Sequence, residues 1–151
     1  MKLPEDIRKR FVRYGRQGGK ARALSLSAEG RRTIAQRAAS SRWIRERFGA
    51  SSFAALGLPG GDMVDTGLAH LADGTVSAES LAVSLAAPRL RREGVPVSIG
   101  SVHTDAENRL YELLSATAGD LAHARYAAHL EQIVSFADAC RLARRRTPGE
   151  R

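Results

Sequence analysis

Arginine and lysine side chains crowd the first third of this sequence, and their chemistry is the binding of phosphate or carboxylate groups. Residues 1–49 hold 14 lysines and arginines against four acids, a net charge of +10. Residues 50–151 hold 10 against 12 acids, a net charge of −2. A charge difference of this size between two parts of a chain is typical of a protein that binds a polyanion. We therefore expect the basic part to contact a polyanionic partner.

Most of these cations are arginines, which make bidentate contacts with phosphate and stack on aromatic rings. The candidate contact residues for nucleic acid or a partner protein are Arg16, Lys20, Arg22, Arg31, Arg32, Arg37, Arg42, Trp43 and Arg45. Binding to nucleic acid through such a surface should weaken steeply as salt rises. An acidic protein surface, or a solvated helix face without a specific partner, would explain the same residues. No helix-turn-helix pattern follows the basic run, so base-specific recognition is not predicted.

Residue types that catalyse reactions or bind metals do not form a pattern. The four histidines are scattered, at His70, His103, His123 and His129. The glycines and cations of residues 15–20 lack the spacing of a phosphate-binding loop and are interpreted as a flexible basic joint. Cys140, the only cysteine, excludes a disulfide framework and a cysteine-based zinc site and is interpreted as a core residue. We expect no catalytic site, cofactor or metal, and no enzymatic activity.

The elements that position the basic residues are predicted to be helices, because alanine is abundant and no β-rich run occurs. Residues 1–49 are predicted to form a helical hairpin. Pro4 begins its first helix, Ser27 caps the second, and Gly49 ends it. The glycines at 15, 18 and 19 favour a kink or fraying. The predicted buried stripes are Ile7, Phe11 and Tyr14 in the first helix, and Ile34, Ala38, Ser41, Ile44 and Phe48 in the second.

The rest of the chain is predicted to be a linker at 50–61, a small helical bundle at 62–147 with a long C-terminal helix, and a tail at 148–151. Asp62, Ser77 and a capping box at 104–107 mark helix starts. Residues 147–149 are expected to end the last helix. Its expected apolar face is Leu121, Tyr126, Leu130, Ile133, Val134, Ala137 and Cys140. The fold class is therefore all-α.

The expected location is the cytoplasm. No apolar stretch reaches the roughly 20 residues that a membrane helix needs, and the N-terminus has no apolar core typical of a signal peptide. The lone cysteine suits a reducing compartment. We expect no membrane contact, and the sequence leaves the oligomeric state open.

Two stretches resemble bacterial sequence patterns. Residues 18–23 (GGKARA), 26–27, 31, 34–39 (IAQRAA) and 42–43 (RW) resemble a basic segment found at the ends of many small plasmid- or defence-associated proteins. Residues 109–114 (RLYELL), 119–120, 122–126 (AHARY) and 134–136 (VSF) are similar to a little-characterised all-helical family. That family is associated with genes beside nucleotidyltransferase toxins of the abortive-infection type. Ala127 stands where the pattern usually has asparagine, which removes one polar group.

The resemblance implies an antitoxin-like protein that neutralises a cognate toxin. The bundle would bind the toxin on a scaffold that includes Leu110, Tyr111, Tyr126 and Phe136. The arginine-rich hairpin would bind an operator or occupy the toxin's acidic, nucleotide-handling cleft, in the space of a phosphate or RNA substrate. The alternative is a small DNA-binding regulator or nucleoid-type protein without a toxin.

Overall fold

The described part of the protein is helical throughout. The structure, a computed structural model, describes residues 4–146, apart from the side chains of Ala23 and residues 144–146. The α-helices of this range are α1 (Glu5–Ser25), α2 (Ala28–Phe48), α3 (Gly61–Asp73), α4 (Ala78–Leu85), α5 (Ala87–Arg92), α6 (Ala106–Ala118) and α7 (Ala122–Arg146). Short 3-10 helices occupy Ile99–Ser101 and Gly119–Leu121, and residues 4–146 contain no strand. The predicted all-α fold with a long C-terminal helix is confirmed. The predicted end of that helix and the tail at 148–151 lie outside the described residues.

The chain forms two compact units that divide between Gln36 and Arg37, inside α2. The sequence placed a linker at 50–61, but this segment is a packed turn of the second unit. Phe53 is fully buried there, and the Asp65 carboxylate accepts the backbone N–H groups of Phe53 at 3.2 Å and Ala54 at 2.8 Å. Leu56 and Leu58 also pack against the core, so the segment is attached by several apolar side chains.

The limits of α1 and α2 follow the predicted signals. α1 begins after Pro4, with two acids in its first turn near the positive end of the helix dipole. The Ser27 hydroxyl accepts the N–H of Gly30 at 3.0 Å, and α2 ends before Gly49, whose φ is +77°. α1 continues without interruption through its three glycines.

The predicted buried stripe of α1 is wrong. Ile7, Phe11 and Tyr14 are 37%, 65% and 66% exposed, and every described side chain of α1 faces solvent. A stripe of helical spacing is buried only where another element covers it, and none of the described residues does so here.

The packed face of α2 differs from the predicted stripe. Ile44 is buried and Phe48 half-buried, as expected, but Ala38 and Ser41 are exposed and Ile34 is 43% exposed. The indole of Trp43 also packs against the core of the second unit. The face of α2 that contacts the core is therefore formed by Trp43, Ile44 and Phe48. From Trp43 a chain of edge-to-face ring contacts runs through Phe48 and Phe53 to Phe136, with centroids 5.7, 5.8 and 4.9 Å apart. Such contacts stabilise a core beyond the area that they bury.

α4 is the centre of the second unit, and α3, α6 and α7 pack around it. Residues 80–84 are buried on all sides of the helix. Two serines can be buried because their hydroxyls are satisfied. Ser77 and Ser80 form a capping box, in which the Ser77 N–H donates to the Ser80 hydroxyl at 2.9 Å and the Ser80 N–H donates to the Ser77 hydroxyl at 3.1 Å. The Ser84 hydroxyl donates to the Ser80 carbonyl at 2.8 Å. The predicted Ser77 cap is confirmed.

Two predicted caps are wrong. Asp62 lies inside α3, whose N-cap is Gly60 with φ +70°. α6 begins after Asp105, which has φ +55° and makes no capping bond; its carboxylate instead accepts the Asn108 amide at 2.8 Å. Short polar side chains tolerate this left-handed conformation better than other residues, which lets Asp105 occupy the turn.

The buried face of α7 matches most of the predicted positions. Ile133, Ala137 and Cys140 are buried, and Tyr126 and Leu130 are half-buried. The prediction was wrong for two residues that face solvent, Leu121 and Val134.

Candidate functional site

Four cations form a row along one side of α1. At 100° per residue, Lys9, Arg13, Arg16 and Lys20 lie within about 60° of one another and extend about 16 Å along the helix axis. They line one shallow strip of its surface, and all four are exposed. We name these four residues the basic row. A row of exposed cations of this length matches a run of several phosphates on a nucleic-acid strand.

Among the described residues, acidic side chains neutralise little of the positive charge of the basic row. Lys9 Nζ lies 3.0 Å from Glu5 Oε1, but both side chains are highly exposed, so this pair holds the lysine only weakly. Arg13, Arg16 and Lys20 face solvent. Arg16 and Lys20 were predicted from the sequence; Lys9 and Arg13 were not among the chosen contact residues. The four cations are separated by four, three and four residues, and this spacing in the sequence indicates that they share one side of a helix.

The other predicted contacts of the first unit lie apart from the basic row. Arg22 is on another side of α1, and Arg32 is exposed on α2. An Arg31 guanidinium nitrogen donates to the Leu26 carbonyl at 3.2 Å, which ties the turn between α1 and α2. Arg31 therefore has a structural contact in addition to its predicted role in binding.

The remaining predicted residues belong to the second unit. Arg37 forms an ion pair with Asp73, the last residue of α3. Arg42 and Arg45 are exposed, and Trp43 is half-buried against the core. Because of the division after Gln36, the nine predicted residues are shared between two units. Their roles in binding stay predictions.

A cleft of opposite charge lies between α6 and α7, and sequence reasoning missed it. Its volume is about 440 Å³, and its acids are Asp105, Glu107 and Glu112. The Tyr126 hydroxyl donates to Glu107 at 3.1 Å, and the Tyr126 and Tyr111 rings meet edge to face at 5.9 Å. Burial, with help from Glu107, raises the pKa of Tyr126. Carboxylates and phenol rings suit a cationic group, so this cleft and the basic row favour ligands of opposite sign.

The histidines have separate neighbours. His70 Nδ1 lies 2.8 Å from the Ser77 hydroxyl, His103 Nε2 lies 3.4 Å from the Ser80 hydroxyl, and His129 Nδ1 lies 3.4 Å from the Met63 sulfur. Across residues 4–146, no three side chains of the metal-binding types are placed to share an ion.

Cys140 is fully buried in the face of α7 that packs on the core. Burial, together with the charge of Glu93, raises the pKa of its thiol to about 12. The nucleophilic form of cysteine is the thiolate, so the thiol is inert near neutral pH. This agrees with the interpretation of Cys140 as a core residue.

None of the helices in the described range is long and apolar enough to cross a membrane. No protein-family model, curated protein or solved structure matches this chain.

Proposed function

We propose that this protein is a binding protein whose N-terminal basic segment contacts nucleic acid. The observation that carries the proposal is the basic row on α1, four exposed cations on one side of a helix that buries no described side chain. Phosphates attract such a row, and the displaced counterions favour binding. Without a motif for reading bases, the contact is with the phosphate backbone and is insensitive to sequence.

The experiment that tests this contact measures affinity for a short DNA or RNA duplex against salt concentration. Each row cation that touches a phosphate contributes about 0.9 to the slope of log K against log salt. Replacing Arg13 and Arg16 by glutamine should therefore reduce the slope by nearly 2. A control that removes the same charge replaces the half-buried Arg109 and the exposed Arg125, both in the second unit. Equal effects of the two pairs would contradict a contact through the basic row.

In the cell, we propose that this binding serves an antitoxin-like function in which the second unit binds and neutralises a partner toxin of the nucleotidyltransferase type. Its support is the sequence resemblance described above, in residues 109–136. Of the predicted contact residues in the second unit, Arg42 and Arg45 are exposed cations that an acidic cleft of that toxin would attract.

Co-purification from the native host at moderate salt tests the toxin proposal. We expect a nucleotidyltransferase in stoichiometric amount, and a cell that carries the Arg42→Glu/Arg45→Glu variant should lose protection. Arg37 is left intact, because reversing it would place two carboxylates at the ion pair with Asp73 and disturb the fold. Retained protection by the variant would contradict this contact.

The second candidate is a small DNA-binding regulator or nucleoid-type protein without a toxin, which shares the basic row. Nucleic acid as the sole partner, released by salt, would favour it. Reproducible turnover of a substrate by the purified chain would contradict both candidates.

A further inference from the structure

The side of α1 away from the basic row carries a second pattern, which nucleic-acid binding leaves unexplained. Six residues recur at alternating intervals of four and three, the spacing of the seam in a two-helix coiled coil. They are Ile7, Phe11, Tyr14, Gly18, Ala21 and Ser25. We name these six residues the α1 seam. Two large aromatic side chains, each about two-thirds exposed, are an unusual feature of a surface without a partner.

The α1 seam is graded in size and symmetric in position. Its first half is large and its second half is small, and the centre of the pattern is residue 16. Consider two copies of α1 that pack antiparallel through their seams, with the two-fold axis at the height of residue 16 along the helix. Each large side chain then lies against a small one. The facing pairs are Ile7 with Ser25, Phe11 with Ala21, and Tyr14 with Gly18. These pairs also join the positions that face each other in an antiparallel coiled coil.

Gly18 is compatible with this register, and it shares its open surroundings with Gly15 and Gly19, which lie off the seam. Glycine destabilises a helix interior relative to alanine, and a Cβ atom added at residue 18 would meet nothing within 4 Å. Packing within the described chain therefore gives no reason for a glycine there. A tyrosine ring of a second copy, seated over residue 18, gives one.

We propose that the α1 seam is a homodimer interface, with a second copy of this chain as its occupant. An aromatic side chain offers about 150–250 Å² of contact area, so four rings at these exposures contribute about 400–650 Å². The two Ile7 side chains and the two Leu24 side chains, which are 87% exposed, extend the interface towards the roughly 1,000 Å² of weak, transient complexes. The dimer is therefore weak and depends on protein concentration.

Charge sets the salt dependence of this dimer. In the antiparallel register Arg8 approaches Arg22 of the other copy, and each helix carries a surplus of cations. Added salt screens this repulsion. Self-association should therefore strengthen as salt rises, whereas nucleic-acid binding weakens. The basic rows lie opposite the seam, so a dimer would present them outwards in two directions.

The size pattern of the α1 seam favours a second copy over a lipid surface. A helix with cations on one face and aromatic side chains on the other also suits a membrane interface, but a lipid surface gives no reason for a small residue at each position that faces a large one. Binding to anionic vesicles is therefore the alternative outcome of the test.

Sedimentation equilibrium of the full chain without nucleic acid tests the proposal, so its outcome is separate from that of the proposed function. Phe11→Ala removes a large side chain, and Ala21→Phe opposes two rings; each should weaken the dimer about tenfold or more. The double variant Phe11→Ala/Ala21→Phe restores large against small and should return to within about threefold of the original. Composition and charge are the same in the double variant, so a failure to restore association would contradict the register.

Gly18→Leu gives a second measurement with a matched control. It fills the space that faces Tyr14 and should abolish association, whereas Gly19→Leu, off the seam, should leave it unchanged. Circular dichroism would check that both variants keep α1 helical. A chain that stays monomeric up to about 0.5 mM at both low and high salt would overturn the proposal. So would an Ala21→Phe variant that leaves self-association intact and only strengthens binding to anionic vesicles.

Discussion

At the scale of single residues, side-chain surroundings decide which chemically capable groups stay inert. Cys140 is a nucleophile by type, yet a position among apolar side chains on α7 keeps its thiol protonated. The Ser80 and Ser84 hydroxyls lie in the core, but each is occupied by hydrogen bonds to backbone groups. Arg37, an exposed cation by type, is held by Asp73. The cations of the basic row, by contrast, are open to solvent and available for binding.

The buried thiol predicts a stability change at alkaline pH. In the native state the pKa of Cys140 is raised to about 12 from an ordinary value of 9.0, so above pH 9 the unfolded chain loses this proton first. The contribution of the thiol to stability is present below pH 9 and is lost as pH rises towards 12. Between pH 9 and 10 the free energy of unfolding should fall by about 1 kcal/mol more than in Cys140→Ala. Urea unfolding of both proteins measures this, and parallel pH profiles would contradict it.

At the scale of elements, the arrangement of the second unit depends on close approaches of helices. α3 crosses α4 at Gly67, where an added Cβ atom would lie 2.6 Å from both the Glu79 carbonyl oxygen and a Val83 methyl group. α1 is the opposite case, because no described side chain of it is buried. Two helices with similar apolar spacing thus differ completely in what covers them.

The crossing at Gly67 predicts a large effect of one methyl group. Gly67→Ala should destabilise the second unit by about 1–3 kcal/mol, because α3 and α4 must separate. Chemical unfolding followed by tryptophan fluorescence measures this change. Gly100→Ala is the control, since a Cβ atom there meets nothing within 4 Å and should change stability little. Equal stability of the two variants would show that the crossing can relax.

At the scale of the whole molecule, stability is unevenly distributed between the two units. The buried apolar side chains of the described range lie between Ile44 and Cys140, all in the second unit. α1 has 21 residues and three glycines, and an isolated helix of this length is marginal in water. The two units should therefore not melt together.

Two optical probes separate the units. Trp43, the single tryptophan, reports the second unit, whereas circular dichroism at the helix band also includes α1. On heating, we expect the helix signal to begin falling before the tryptophan signal changes. Removing residues 1–24 should make the two curves coincide, as in a two-state domain. Coincident curves in the full chain would contradict independent melting of α1.

The sequence by itself determined the helices and many of the positions where they begin and end, because helix caps and terminal glycines are local interactions. Ser27, Ser77 and Gly49 act within a few residues of themselves, and the structure places them as predicted. Charge segregation is also visible without a structure. The sequence further showed that the apolar residues of α1 share one face, but spacing carries no information about what covers a face.

The tertiary structure decided which faces are buried, since burial depends on elements distant in the chain. It exposed the predicted stripe of α1, rotated the packed face of α2 towards Trp43, and placed Phe53 of the expected linker in the core. It also brought Glu107 and Tyr126, 19 residues apart, into one acidic cleft. A hydrophobic pattern indicates that one face of a helix is apolar. Only packing between segments distant in the chain determines whether, and by which element, that face is buried.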